Sequence, residues 1–323
     1  MIRYFHPAPD GKRLIETTQL DSDVRPVWVD LFEPTEEEKR LIGERYGIDV
    51  PTKDEMLEIE PSNRLYQEDG ALFMTATLVA QVEQEEPRSA PVTFILSQER
   101  LLTLRYINPR SFRSFSINAQ RGQIIDTRPE MVLTSLLEIV IDRFADILER
   151  VAIEVDQISS DIFQSERPKG QRTALDQLIN AIGRAGDLNS RVREALVSVA
   201  RLVSYFSHPA NGYGRNKEFR VHIKSLAQDL AYLTDHAGFQ ANKVQFLLDA
   251  TLGRISIEQN GIIKIFSVAA VVFLPPTLVA SIYGMNFEFM PELMLSYGYP
   301  LALGMMVVSA ICPYLFFKRK GWL

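Results

Sequence analysis

Two uncharged runs near the C-terminus constrain the fold of this chain more than any other feature. No Asp, Glu, Lys or Arg occurs at 265–283, and none occurs at 293–317. A helix needs about 17–25 apolar residues to cross a bilayer. The first run supplies 19 residues and the second supplies 18 from Pro300 onward. We therefore predict two transmembrane helices joined by a short polar loop, rather than a buried pair of core helices.

The basic residues beside these runs predict how the chain is oriented. Lys264 precedes the first run, Lys318, Arg319 and Lys320 follow the second, and the loop at 284–298 has no Lys or Arg. Because basic residues collect on the cytosolic side of membrane proteins, we expect both termini in the cytosol and the loop outside. The start of the chain shows no signal peptide. We therefore expect a multi-pass protein with a large cytosolic N-terminal part.

Residues 1–125 predict a cytosolic α/β domain. Thr35 and Thr52 are each followed three residues later by Glu, the capping-box pattern that begins a helix. Nothing here resembles a nucleotide-binding or catalytic motif, so we expect no enzyme, no organic cofactor and no nucleic-acid partner. Strands are predicted at 27–31, 72–79, 92–96 and 101–106, with the last two joined as a hairpin.

The chain from residue 126 onward predicts long helices. Residues 126–215 predict an antiparallel helical hairpin, broken at 168–170 and closed by a turn at 208–214. A stalk helix at 216–283, roughly 100 Å long at 1.5 Å per residue, continues into the first span. An external loop at 284–298, a second span at 299–317 and a basic tail at 318–323 complete the chain. The first helix of the hairpin carries an apolar stripe of helical spacing at 133, 136, 140, 144, 147, 151, 155, 158 and 162.

The predicted stalk helix has one face that is almost wholly apolar. Its members alternate steps of four and three, which is the heptad spacing of a coiled-coil seam, and Gln240 is its polar interruption. We expect this face to be buried. It comprises Phe219, Ile223, Leu226, Leu230, Leu233, Ala237, Gln240, Val244, Leu247 and Thr251.

A second face of the same helix collects small and polar residues. Lipid tolerates polar side chains poorly, so this stripe either packs on another helix through its small residues or lines a pore. Two spans cannot enclose a pore, so a channel requires an oligomer with one stripe per chain. The stripe comprises Ser281, Thr277, Leu274, Ala270, Ser267, Ile263 and Asn260, then Ser256, Gly253, Asp249, Phe246, Asn242, Phe239 and Asp235.

The loop and its flanks resemble the CorA family of magnesium transporters. The resemblance rests on Tyr283-Gly284-Met285-Asn286 with Phe287-Glu288-Phe289-Met290-Pro291-Glu292-Leu293 after it, and on the flanks at 257–282 and 316–323. It implies a funnel-shaped homopentameric channel in the inner membrane, with an α+β cytosolic domain, long helices and two C-terminal transmembrane helices. The family conducts Mg²⁺, and often Co²⁺ or Ni²⁺, inward, and cytosolic Mg²⁺ bound through carboxylates between subunits gates it.

Carried over by position, the resemblance assigns roles to residues of this chain. Gly284 and Met285 shape the turn at the outer mouth, and Asn286 forms a ring of carboxamides that selects the hydrated ion. Polar pore positions fall at Thr277 and Asn260, apolar gate positions at Leu274 and Ile263, and a pore-facing acid at Asp249. Ser267, Ala270 and Ser281 share this pore-lining stripe.

Charge outside the stripe also enters the hypothesis. Glu288 and Glu292 have no basic neighbours in the loop, and we expect their field to concentrate cations outside. The carboxylates that bind regulatory Mg²⁺ are not placed by the resemblance. Asp249 and Asp235 are candidates for them, and a solvated helix face is the alternative reading of both.

Two other functions remain open at this point. The ZntB zinc transporters share the architecture but usually carry Ile between the Gly and Asn, where this chain has Met285. A membrane-anchored sensor or scaffold that conducts nothing is the second alternative. The sequence does not order Mg²⁺, Co²⁺, Ni²⁺ and Zn²⁺ by preference.

Overall fold

The computed structural model describes residues 1–19, 25–84, 87–163, 172–208, 217–286 and 290–321. The chain forms two compact units, Met1–Leu248 and Asp249–Leu323. The predicted break at 168–170 and most of the predicted turn at 208–214 lie outside the described residues, as does Glu288.

The first unit is built on a mixed sheet of seven strands within these ranges. The strand order is β2-β1-β3-β7-β6-β5-β4. Among them, β3 and β7 pair in parallel and the other neighbours pair antiparallel. The strands are β1 (Ile2–Pro7), β2 (Leu14–Thr17), β3 (Trp28–Phe32), β4 (Leu65–Glu68), β5 (Ala71–Ala80), β6 (Arg88–Leu96) and β7 (Leu101–Arg105).

The four predicted strands and the hairpin are confirmed. Strands β6 and β7 pair antiparallel, and the Ser97 N–H donates to the Arg100 carbonyl at 2.9 Å to close their turn. Both capping boxes are also present, and they begin α1 (Glu36–Tyr46) and α2 (Lys53–Leu57). The predicted α/β character of this part is therefore correct, although β1, β2 and β4 were not predicted.

Alternate residues of β3 enter different layers of the core. Trp28 stacks on Phe5 with ring centroids 4.0 Å apart and meets Phe115 at 5.1 Å. Phe115 belongs to α4 (Arg110–Gln120), which covers one face of the sheet. The preceding helix, α3, is the short segment Pro61–Arg64. Val29 instead packs in a cluster that contains Ile42 from α1. This alternation follows from the two-residue period of a strand.

A buried ion-pair network holds the parallel strands together. The Asp30 carboxylate on β3 accepts hydrogen bonds from Arg105 Nη2 at 3.0 Å, Arg3 Nη2 at 2.6 Å and Thr103 Oγ1 at 2.8 Å. The Asp30 side chain has no solvent exposure. Burial alone would raise its pKa, but Arg105 and Arg3 outweigh that effect and hold the pKa below its ordinary value. The charge is therefore fully compensated within the chain.

Four long helices follow the sheet domain. The apolar stripe predicted for the first of them is confirmed, because all nine of its positions are buried. The second packs on the sheet, where Ser198 Oγ accepts the Thr77 N–H at 2.9 Å. The third runs without interruption through Gly253 and through Pro275-Pro276. The helices are α5 (Pro129–Phe163), α6 (Arg172–Phe206), α7 (Lys217–Tyr283) and α8 (Gly298–Arg319).

Two of these helices have the length and composition to cross a membrane. They are α7, through its C-terminal part, and α8. The prediction of two C-terminal membrane-crossing helices thus agrees with the structure, on length and composition. A short 3₁₀ helix, Pro291–Met294, lies in the loop between them.

Candidate functional site

The heptad seam of α7 is buried by the chain itself. Phe219 and Leu230 are each 1 % exposed, and Gln240 at the polar interruption is 4 % exposed. Val244 is half-buried and the other predicted seam positions are buried. The prediction of a buried seam is confirmed. Because its partners come from the same chain, this face needs no second molecule to complete it.

The second face of α7 is exposed along its whole length. All fourteen positions of the predicted stripe, from Asp235 to Ser281, are exposed. Ile263 is 61 % and Leu274 66 % exposed, and the aromatic rings of Phe239 and Phe246 remain 62 % and 58 % exposed. Apolar side chains of this size are rarely left open on a single continuous face without a further partner. The described part of the chain leaves this face uncovered.

Thr277 lies on this stripe directly after the two prolines. Its hydroxyl donates to the Phe273 carbonyl at 2.7 Å, as a Thr in a helix interior commonly does. The hydroxyl proton is therefore used in a hydrogen bond within the helix. The hydroxyl oxygen can still accept a hydrogen bond from the exposed side. An oxygen in that state can accept a hydrogen bond from water, including water bound to a cation.

The predicted selectivity turn begins where α7 ends. The Gly284 N–H still donates to the Ala280 carbonyl at 2.9 Å, and the Met285 N–H donates to the Ile282 carbonyl at 3.3 Å, which tightens the last turn. A Cβ atom at Gly284 would lie 3.1 Å from the Ala280 carbonyl oxygen, closer than side chains normally come. Gly284 therefore suits a chain that leaves the helix at once, and Asn286 is exposed just beyond it.

The remainder of the loop returns the chain to α8. The Gly298 N–H donates to the Leu295 carbonyl at 2.9 Å, and the Leu301 N–H donates to the Tyr297 carbonyl at 3.0 Å, which begins α8. Of the two predicted external acids, Glu288 lies outside the described residues. Glu292 belongs to the short 3₁₀ helix, where only its backbone is described.

The carboxylates suggested for regulation do not form a metal centre within this chain. Asp235 and Asp249 are exposed on the stripe. In the described ranges, no three His, Cys, Asp or Glu side chains converge as ligands for one metal ion.

An acidic cluster between α5 and α7 was missed by the sequence analysis. Burial raises the pKa of the Asp142 carboxyl, and the nearby charges of Asp146 and Asp229 raise it further. Asp142 and Asp146 are four residues apart on one helix, which is visible in the sequence. Asp229 joins them only through helix packing, which no local pattern reveals.

Basic side chains stand at the end of α8. Lys318, Arg319 and Lys320 are exposed, and Lys320 Nζ lies 5.4 Å from the centre of the Phe316 ring. Lys264 on α7 is exposed as well. The two candidate membrane helices thus carry their positive charge at the ends away from the Asn286 loop.

Comparison with known proteins places these features in one family. Residues 24–319 match the family described as CorA-like Mg²⁺ transporter protein. The magnesium transport protein CorA of Pasteurella multocida is 37 % identical over 301 residues, covering 92 % of each chain. The Haemophilus influenzae protein of the same name is 34 % identical over 321 residues, covering 98 % of each. The complete CorA structure from Methanocaldococcus jannaschii shares the fold, with a TM-score of 0.76, 18 % identity and coverage of 100 % and 99 %.

Proposed function

The chain belongs to the CorA-like Mg²⁺ transporter family, and we propose that it moves Mg²⁺ through a pore lined by the exposed stripe of α7. The protein is a magnesium transporter, not an enzyme. Its transported ligand is Mg²⁺, and no organic cofactor or nucleic acid takes part. The single observation that carries the pore assignment is the stripe, which mixes small, polar and apolar residues, is exposed throughout, and leads to Gly284-Met285-Asn286.

The chemistry of Mg²⁺ explains why an amide suits the mouth of this pore. Mg²⁺ requires near-ideal octahedral coordination and gives up its water reluctantly, so a selective mouth reads the hydrated ion. The Asn286 carboxamide oxygens accept hydrogen bonds from the coordinated waters and release the ion again. Carboxylates at the same place would hold a divalent cation too strongly for conduction. Thr277, whose oxygen keeps acceptor capacity, continues the contact below the mouth.

Passage through one chain is impossible, so the channel is an oligomer. Two spans cannot surround an aqueous path, because lipid would cover the polar face of α7. We propose a funnel-shaped homopentamer, as the family resemblance implies, with one α7 stripe from each copy around the axis. The exposure of Phe239 and Phe246 in a single chain supports coverage of this face by further copies.

Closure takes place where the stripe is apolar. Rings of Leu274 and Ile263 narrow the path with side chains that repel water, and a narrow apolar ring blocks ions by dewetting. Cytosolic Mg²⁺ controls this closure through carboxylates of neighbouring copies. Exposed Asp249 and Asp235 are the acids of the stripe that can take this part.

Both termini lie in the cytosol and the Asn286 loop faces the outside of the inner membrane. The basic tail of α8 and the absence of Lys and Arg from 284–298 support this orientation. The membrane potential then drives Mg²⁺ inward with about 2.3 kcal/mol per charge for each 100 mV, doubled for a divalent ion. Glu288 and Glu292 raise the local cation concentration at the entrance.

The deciding experiment is Mg²⁺ uptake into liposomes by the Asn286→Ala variant. We expect uptake to fall to background, because the ring that reads the hydrated ion is gone. Ser296→Ala in the same loop is the matched control and should transport normally. Size-exclusion chromatography must show the same assembly for both variants. Unchanged uptake by Asn286→Ala would remove the selectivity role of this loop.

A panel of Mg²⁺, Co²⁺, Ni²⁺ and Zn²⁺ separates this function from the zinc alternative. We expect Mg²⁺ to be transported, with Co²⁺ and Ni²⁺ also carried and Zn²⁺ least. Met285, rather than Ile, between the Gly and the Asn argues against the zinc alternative. Uptake of Zn²⁺ in preference to Mg²⁺ would favour a zinc transporter of the same architecture. If no ion were transported, a sensor or scaffold that conducts nothing would be favoured.

A further inference from the structure

The helices α6 and α7 pack as an antiparallel pair along the buried seam. Near the end of α6, the rings of Phe206 and Phe219 meet with centroids 4.9 Å apart. Further back along α6, Asn189 Nδ2 donates to the Ala237 carbonyl of α7 at 2.9 Å. Residue numbers fall along α6 as they rise along α7, so the two helices run in opposite directions with a defined register.

An apolar heptad seam does not by itself select one register. Sliding α7 by seven residues, about 10.5 Å at 1.5 Å per residue, places one aliphatic seam residue where another was. Most seam positions are Leu, Ile or Val, so the buried apolar area changes little. In coiled coils, a single buried polar residue commonly specifies the register at a cost in stability.

The interface between α6 and the seam contains such a polar layer at Asn189 and Gln240. Asn189 is 1 % exposed and Gln240 is 4 % exposed. The side-chain oxygens Asn189 Oδ1 and Gln240 Oε1 are buried and accept no hydrogen bond from the described part of the chain. Burying unpaired polar atoms lowers stability, so packing alone would favour apolar residues at both positions.

The hydrogen bond of Asn189 is specific to one register because of the residue opposite. Ala237 is the alanine of the α7 seam, and its neighbours one heptad away are Leu230 and Val244. A methyl side chain lets the Asn189 amide reach the main-chain carbonyl behind it. A Leu or Val at that place would fill the space that the amide needs.

A close approach next to this layer reinforces the same register. A Cβ atom at Gly186 on α6 would lie 3.2 Å from Val244 Cγ1. The missing side chain of Gly186 therefore accommodates Val244, and a slip of one heptad would bring Ile179 or Arg193 to this place. These larger side chains do not fit there without a shift of the helices.

We propose that the Asn189–Ala237–Gln240 layer is a register lock, which holds α7 at one axial position against α6 at a cost in stability. The proposal does not depend on ion selectivity or on the number of copies. It concerns the helix whose other end carries Asn286, and it explains why two amides are buried in a largely apolar interface between helices.

Disulfide trapping in the full-length protein tests the lock, with Cys312→Ser removing the native thiol. The pair Gly186→Cys/Val244→Cys reports the observed register. The pairs Gly186→Cys/Thr251→Cys and Ile179→Cys/Val244→Cys report slips of one heptad in opposite directions. With the native layer, we expect cross-linking of the first pair and background levels for the other two.

Replacing the layer by Asn189→Leu/Gln240→Leu should release the register. We expect cross-linking of at least one slipped pair to rise by about fivefold or more, since the remaining seam is apolar. Thermal unfolding should show stability equal to or above that of the native layer, because two buried side-chain oxygens without a hydrogen-bond partner in the described chain are removed. A folded variant that cross-links only in the native register would overturn the proposal.

Two further variants keep the test decisive. Asn189→Ala removes the hydrogen bond to Ala237 without adding volume, and it replaces the double variant if that one fails to fold. Val192→Ala is the matched control, because it weakens an apolar layer of α6 next to the polar one. It should lower the unfolding temperature and leave both slipped pairs at background. Slippage in Val192→Ala would mean that any loosening of the seam releases the register.

Discussion

The two faces of α7 follow the same helical spacing, but one face is buried and the other is exposed. The seam from Phe219 to Thr251 is buried against other parts of its own chain, whereas the stripe from Asp235 to Ser281 stays exposed. Seam residues are mostly large and apolar, and stripe residues are a mixture of small, polar, acidic and apolar side chains. The seam is buried because other parts of the same chain pack against it. The described part of the chain leaves the stripe uncovered, and we propose that further copies and a hydrated ion meet it.

The same contrast separates the acids of the two regions. Asp30 is enclosed by two arginines and a threonine hydroxyl in the first unit, and Asp249 is exposed on the stripe. The Asp30 carboxylate stabilises the fold, and the Asp249 carboxylate is proposed to face cations. The predictions below test this division, beginning with the largest expected effect.

Loss of the buried carboxylate should have the largest effect on stability. Asp30→Ala leaves Arg105 buried without its partner, and breaking a buried ion pair costs about 3–5 kcal/mol. The measurement is chemical denaturation of the purified protein, followed by the fluorescence of Trp28 and its surroundings. Asp249→Ala is the control and should change the free energy of unfolding by less than about 0.5 kcal/mol. Equal effects of the two changes would erase the distinction between the regions.

The seam should be nearly as sensitive as the ion pair. Leu230→Ala removes a side chain that is 1 % exposed, and such truncations cost about 2–5 kcal/mol. Val221→Ala, on an exposed position of the same helix, should cost less than about 0.5 kcal/mol. The unfolding temperatures of the two variants are compared. An unchanged unfolding temperature in Leu230→Ala would show that the seam is not part of a core.

Acid should weaken the first unit through Asp30 without any mutation. The folded-state pKa of Asp30 lies below its ordinary value of 3.8. Its stabilising effect is therefore complete above that value and is lost as the pH falls through the lower folded-state pKa. Denaturation curves at decreasing pH below 3.8 should show this loss in the native protein and a shallower loss in Asp30→Asn. Identical slopes would contradict the assignment.

The stripe should govern flux and leave stability unchanged. Leu274→Ser replaces an apolar ring of the proposed gate by a polar one, so water enters the closed path more readily. We expect Mg²⁺ leak at high internal Mg²⁺ to rise by about tenfold, which corresponds to about 1.4 kcal/mol. Val272→Ser, about 160° away from Leu274 around the same helix, is the control. Equal leak in both variants would place the gate elsewhere.

The turn after α7 should show the smallest effect. Gly284→Ala brings a methyl group to 3.1 Å from the Ala280 carbonyl oxygen, and the neighbouring backbone must shift by a few tenths of an ångström. We expect Mg²⁺ uptake to fall by about two- to fivefold, because Asn286 is displaced rather than removed. Gly304→Ala in α8, where nothing lies within 4 Å of the added carbon, is the control. Normal uptake by Gly284→Ala would mean that the mouth tolerates the shift.

Much of the fold could be read from local patterns. The capping boxes at Thr35 and Thr52, the apolar stripe of α5 and the seam of α7 all proved correct. Each depends on contacts three or four residues apart, so the chain itself carries the full signal. The strands β1, β2 and β4 escaped prediction because they are short or only partly apolar. The helix α4 escaped because its sequence is mostly polar around Phe112 and Phe115.

By itself, the sequence determined the two spans, the two faces of α7 and the Gly284-Met285-Asn286 turn, because periodicity and charge are properties of neighbouring residues. Only the tertiary structure decided which elements cover the seam of α7, since that depends on where α5 and α6 pack. It also brought Asp30, Arg3 and Arg105 into one network across three strands, and it placed Asn189 against Ala237. These contacts join residues far apart in the chain, and no local pattern carries them.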